Sequence, residues 1–232
     1  MKVGDLESWF EEWNALAEYV ENIGRAGETV GETETASTSY FRASNYYRMA
    51  DFYLNRDDPR ELPTYEKHVN LFQKAAESRV PKVETASIPF EGKQLHGYFV
   101  RSAKKGESKQ PCVIIFGGAD STCEEVYFSS VAPATSRGLN VLLVDGPGQG
   151  YTLRFQKLYA RYDYEKTVGA AFDYLAANKS DFLNLDKTGI MGRSLGGTMR
   201  RGPLQLRKES GPLWCLTRFS MSLKTCMISF RQ

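Results

Sequence analysis

The chain has 232 residues, 41% of them hydrophobic and 25% charged, with a formal net charge of +2. That suits one soluble α/β domain of ordinary size with a small appendage. No run of about 18 apolar residues occurs, which excludes a helical membrane span. Met1 to Asp5 leads straight into an acidic amphipathic segment without the apolar core of a secretory signal. The four cysteines, Cys112, Cys123, Cys215 and Cys226, lack metal-ligand spacing. A reduced, cytoplasmic setting is expected.

Leu6, Trp9, Phe10, Trp13, Leu16 and Val20 recur at helical spacing with Glu and Asn opposite. This predicts an amphipathic helix, ended by Gly24 and Gly27. A second helix is expected from about Thr35 to Leu54, with Ala36, Tyr40, Ala43, Tyr47 and Ala50 on one stripe, stopped by Asp57-Asp58-Pro59. A third follows Pro63 and ends before Pro81. Residues 1–81 therefore read as a helical cap region. Most of the aromatics in it are assigned to helix packing, although Tyr46 or Tyr47 could line a substrate cavity.

The period changes at Val83. Val83 to Phe90 and Gln94 to Arg101 read as strands joined by the hairpin signal Glu91-Gly92-Lys93. Cys112 to Phe116 and Asn140 to Val144 are continuous apolar runs, as expected of strands buried on both faces. Helices are predicted from about Cys123 to Arg137 and from Tyr164 to Asn178. Gly189 to Gly192 gives a third buried strand. Strands alternating with helices imply a mostly parallel sheet with right-handed crossovers, where ligand chemistry collects at the carboxyl ends of the strands. Three glycine-rich segments stand at those ends: Gly117-Gly118, Gly146 to Gly150 and Gly192 to Gly197. The middle one reads best as a turn.

The last carries G-x-S-x-G around Ser194. Such a turn joins a strand to a helix so tightly that the serine oxygen is presented at its apex. A serine hydroxyl is a poor nucleophile unless something presents and deprotonates it.

Several motifs carry a family resemblance: A-x-N-Y-Y-R-M-A (Ala43 to Ala50), F-G-G-A-D-S-T-x-E-E (Phe116 to Glu125), D-G-P-G-Q-G (Asp145 to Gly150), D-Y-E-K (Asp163 to Lys166) and G-R-S-L-G-G (Gly192 to Gly197). With them residues 36–197 resemble the α/β-hydrolases, in particular the group containing 2,6-dihydropseudooxynicotine hydrolase and its fungal and bacterial relatives. The resemblance implies the α/β-hydrolase fold, with residues 82–197 as the N-terminal half of its core. It implies that Ser194 is the nucleophile. The oxyanion donors would be the N–H of Leu195 and that of Gly118 or Ala119. It further implies an ester, amide or activated carbon–carbon substrate of small size, such as an alkaloid or polyketide. No metal or organic cofactor, nucleic acid or membrane partner is implied, and full-length relatives would allow a homodimer.

The chain departs from that pattern after the elbow. The family's acid and histidine follow the serine, yet no His and no Asp follow Ser194. His68 and His96 lie upstream and are assigned surface or strand roles rather than that of the base. From Thr198 onward Arg200, Arg201, Arg207, Lys208, Arg218, Lys224 and Arg231 face a single acid, Glu209, so the charge of the mildly acidic body is reversed. Met199 to Pro203 and Gly211-Pro212 interrupt the helix that should follow the elbow. Residues 198–232 are accordingly expected to be a C-terminal end read in a shifted frame. One permitted back-translation gives an alanine-rich helix, a Val-Val strand and an acidic segment instead. A sheet stopping at the elbow strand would leave an open edge. The leading expectation is a serine hydrolase, nearly inactive in this form. The alternative is a non-catalytic binding or regulatory protein that keeps the pocket. The basic tail as a nucleic-acid contact is a weaker third reading.

Overall fold

The computed structural model describes residues 1–102, 104, 109–198, 214–218 and 226–228; for 198 and beyond the description covers the backbone alone. The chain forms two compact units, Met1–Lys82 and Val83–Gln232.

The first unit is three helices: α1 (Leu6–Thr29), α2 (Thr33–Asp51) and α3 (Glu61–Ala76). Asp5 caps α1, its carboxylate accepting from the Ser8 N–H at 3.1 Å. Contrary to the sequence expectation, Gly24 and Gly27 do not end α1; they lie inside it and are buried. A Cβ on Gly24 would stand 2.7 Å from the Tyr40 ring, and one on Gly27 would stand 3.2 Å from the Ala36 nitrogen. These glycines let α2 approach. Tyr47 is fully buried, and its hydroxyl donates to Glu21 at 2.8 Å within the unit. The Tyr46 ring lies 5.5 Å from that of Trp13.

The second unit is built on one sheet, in the order β1-β2-β4-β3-β5-β6-β7. β1 (Val83–Phe90) and β2 (Lys93–Val100) form the antiparallel hairpin, turning at Glu91 and Gly92, both at positive φ. β2 pairs antiparallel with β4 (Asn140–Asp145), and β4 lies parallel to β3 (Gln110–Phe116). β3 lies parallel to β5 (Leu183–Arg193). Every residue of β4 is buried, which is why its sequence shows no alternation. The helices are α4 (Cys123–Thr135), α5 (Gly150–Gln156), α6 (Glu165–Lys179) and α7 (Leu195–Thr198). Ile88, Phe99, Ile114, Leu142 and Ile190 of the sheet share a core with Val168, Ala171 and Leu175 of α6.

Two features differ from the sequence expectations. The short helix α5 follows the Gly146 to Gly150 turn directly. The sheet also does not stop at β5: β6 (Trp214–Arg218) adds parallel to it, and β7 (Cys226–Ile228) adds antiparallel to β6. The short apolar run Trp214-Cys215-Leu216 supplies what the open edge required. The expected frame shift concerns residues 198–232, most of which lie outside the described residues. Among the described residues no helix is long and apolar enough to cross a membrane.

Candidate active site

β5 ends in Gly192-Arg193, and α7 begins at Leu195. Ser194 between them sits at φ 49, in the left-handed region, and is exposed. A non-glycine residue held there costs about 1–2 kcal/mol, so the surrounding structure must impose it. The glycines on either side do so. A Cβ on Gly192 would stand 2.2 Å from the Gly196 carbonyl oxygen. A Cβ on Gly196 would stand 2.3 Å from the Gly117 oxygen and 2.9 Å from that of Phe116. Only glycine lets the first turn of α7 fold back on β5 and rest against the end of β3. Arg193, the variable residue before the serine, donates to the Ser129 hydroxyl at 2.7 Å.

The loop after β3 stands beside the serine. A Cβ on Gly118 would be 3.3 Å from the Ser194 Cβ and 3.7 Å from the Arg193 oxygen. The structure thus brings Ser194 and Gly118 together. Leu195 opens α7 with 40% of its surface exposed, and Ala119 follows Gly118 on the exposed side of the loop.

Behind the serine and the loop lies a polar network that the sequence reading missed. Gln149, 2% exposed, donates from Nε2 to the carbonyl oxygens of Gly117 and Gly118, both at 2.8 Å. Its Oε1 accepts from the Gly146 N–H at 3.0 Å and the Tyr164 hydroxyl at 2.9 Å. A Cβ on Gly146 would meet the Tyr164 oxygen at 1.8 Å, so that glycine makes room for the bond. Asp145, 2% exposed, accepts from the Cys123 N–H and the Tyr151 N–H, each at 2.9 Å, and so serves the starts of α4 and α5. Burial, aided by the charge of Glu124 and opposed by that of His96, pushes the Asp145 carboxyl up to about 6. Burial likewise pushes the Cys123 thiol up, which keeps it in the unreactive form. The Gly146 to Gly150 segment is a turn, as expected, but its Gln149 side chain belongs to the site's support.

Neither histidine has a surface role. His68 is fully buried in α3, with Nδ1 2.9 Å from both the hydroxyl and the carbonyl oxygen of Ser44. His96 is buried in β2, its Nε2 3.4 Å from Glu124 Oε1 and its ring stacked 4.5 Å from that of Tyr151. Glu124 Oε1 also accepts from the Tyr98 hydroxyl at 2.8 Å. Sequence periodicity gives no sign of these pairings, because each joins elements far apart in the chain.

The family model for FrsA-like esterases matches residues 5–161. The chain belongs to the FrsA-like esterase family. Among relatives of this FrsA-like chain, the hydrolase AcrC of Aspergillus aculeatus is 37% identical over 214 residues, 84% of this chain and 49% of its own. The 20-hydroxy-prefusarin hydrolase FUS2 of Gibberella moniliformis is 37% identical over 205 residues, 85% of this chain and 49% of its own. The crystal structure of 2,6-dihydroxy-pseudo-oxynicotine hydrolase superposes with a TM-score of 0.74 at 29% identity, covering 86% of this chain and 54% of that one. The FrsA-like chain therefore has an α/β-hydrolase fold, and it spans about half the length of the curated relatives it matches.

Proposed function

We propose that this FrsA-like chain carries the nucleophile and oxyanion loop of a serine hydrolase acting on small organic substrates. The observation that carries the proposal is Ser194, held at φ 49 between obligatory glycines with its Cβ against Gly118. Ser194 Oγ attacks a carbonyl carbon of an ester, an amide or an activated ketone. The developing oxyanion is met by the Leu195 N–H and by the N–H of Gly118 or Ala119. The relatives named as hydrolases of 20-hydroxy-prefusarin and 2,6-dihydroxy-pseudo-oxynicotine support a small-molecule substrate.

The proton on Ser194 needs an acceptor, and none of the 35 residues after Gly197 is a His or an Asp. In a well-studied serine hydrolase, loss of the base alone lowers turnover about 10⁶-fold and leaves roughly 10³ to 10⁴ over water. The 232-residue chain by itself is therefore a feeble catalyst. The alternative reading is a binding protein that keeps the hydrolase pocket.

Turnover of p-nitrophenyl esters by the purified chain and by Ser194→Ala tests the two readings. Weak hydrolysis above the Ser194→Ala level supports the nucleophile. Equal rates favour the binding protein. Robust hydrolysis lost on Ser194→Ala would refute the claim of feeble activity.

A further inference from the structure

The geometry points to Gln149 as the positioning residue of the oxyanion loop: its side-chain amide fixes the two peptide planes whose N–H groups face the reacting oxygen. The inference rests on Ser194 being the nucleophile.

A primary amide has two N–H donors and two acceptor lone pairs. At Gln149 all four are used, and the partners allow one orientation only. Two carbonyls, those of Gly117 and Gly118 at 2.8 Å each, must face Nε2. The Gly146 N–H at 3.0 Å must face Oε1, which leaves the Tyr164 hydroxyl at 2.9 Å as the second donor to that oxygen. Gln149 is 2% exposed and Tyr164 is 2% exposed, so water does not substitute for these bonds.

A trans peptide is planar, and its N–H points opposite to its C=O. Only Val80-Pro81 is cis among the described residues. With the Gly117 carbonyl turned to Gln149, the Gly118 N–H points away from it. With the Gly118 carbonyl turned likewise, the Ala119 N–H does the same. One side chain thus touches both peptides that carry the candidate oxyanion donors, and Ser194 stands beside Gly118. A glycine pair has little steric preference of its own; the Ser121 N–H reaches the Gly118 oxygen at 3.4 Å, and the two shorter bonds from Gln149 are the tie that the planes share. The tie also explains why three separated motifs occur together in the sequence. D-G-P-G-Q-G supplies Gln149, D-Y-E-K supplies Tyr164 and F-G-G-A supplies the two carbonyls.

Gln149→Glu keeps the size and both accepted bonds but removes both donated ones and sets a carboxylate against two carbonyl oxygens. The readout is phosphonylation of Ser194 by a fluorophosphonate probe, followed by intact mass. The new Oγ–P bond replaces P–F, fluoride leaves and the serine proton passes to solvent. Loss of an aimed oxyanion donor lowers catalysis about 10² to 10³-fold. The maximal labelling rate of Gln149→Glu should therefore fall about 100-fold, while the half-saturating probe concentration stays within about threefold. Labelling of the variant at the parent's rate overturns the inference while leaving the nucleophile reading intact. A parent that is not labelled at Ser194 fails the nucleophile reading, and the inference falls with it. A second measurement needs no variant: the parent's Gln149 side-chain amide should show through-hydrogen-bond couplings to the Gly117 and Gly118 carbonyl carbons. Absence of both couplings overturns the inference even if Gln149→Glu fails to fold.

Discussion

Gly196→Ala puts the elbow's packing to a quantitative test. The added Cβ would stand 2.3 Å from the Gly117 oxygen and 2.9 Å from the Phe116 oxygen. A carbon–oxygen contact normally lies near 3.3 to 3.6 Å, so about 1 Å must be found. The obstructing atoms are backbone, and the ladder pairing Ile115 with Met191 and Phe116 with Gly192 holds both sides. The movement available is to push Gly117 off Gln149. That loses a buried hydrogen bond worth about 1 kcal/mol, and overpacking adds about 1–3 kcal/mol. Alanine's helix preference in α7 returns about 1 kcal/mol. The net is a loss of about 2 kcal/mol, close to 30-fold in the folded-to-unfolded ratio. In urea, with a slope near 2 kcal/mol per molar, the midpoint should fall by about 1 M. A midpoint within about 0.25 M of the parent's would refute the reasoning, because the elbow would then tolerate a side chain that the geometry excludes.

Three further outcomes follow. Gly24→Ala gains about 1 kcal/mol of helix preference but drives a Cβ to 2.7 Å from the Tyr40 ring, which is pinned by its 2.6 Å bond to Glu28. A net loss of about 1 kcal/mol is expected, and an unchanged or raised urea midpoint would count against the helix packing described. Asp145 binds its proton more tightly when folded, at about 6 against an ordinary value near 3.9, so its contribution is fully present below pH 4 and is lost as pH rises through 6. Denaturation from pH 4 to 7 should show parent stability falling by roughly 2 kcal/mol relative to Asp145→Asn, and a constant difference would refute this. If residues from Thr198 are out of frame, a DNA read from codon 185 past the stop will open a frame encoding a downstream Asp and His. A read in which no such frame follows would move the binding protein to first place.

The tight turn around Ser194 was legible because its requirements are local. Gly192, Ser194 and Gly196 are constrained by one another and by the strand end they touch, and a short motif records such constraints. Buried strands such as Asn140 to Val144 were legible as continuous apolar runs. The glycines of α1 were misread as stops, because propensity counts their flexibility and not the neighbouring helix that needs the space. Gln149 was passed over for a different reason. Its four partners are three backbone groups and one tyrosine, so no pairing of residue types in the sequence announces them. The burial of His68 was equally hidden, since Ser44 reaches it across two helices. The strands beyond the elbow were missed because the basic tail outweighed one short apolar run.

The most direct test of the account is to expose the purified chain to a fluorophosphonate and map the adduct by peptide mass. The account predicts a single phosphonylated residue, Ser194, formed slowly and absent in Ser194→Ala. No adduct, or one on another serine, would contradict it.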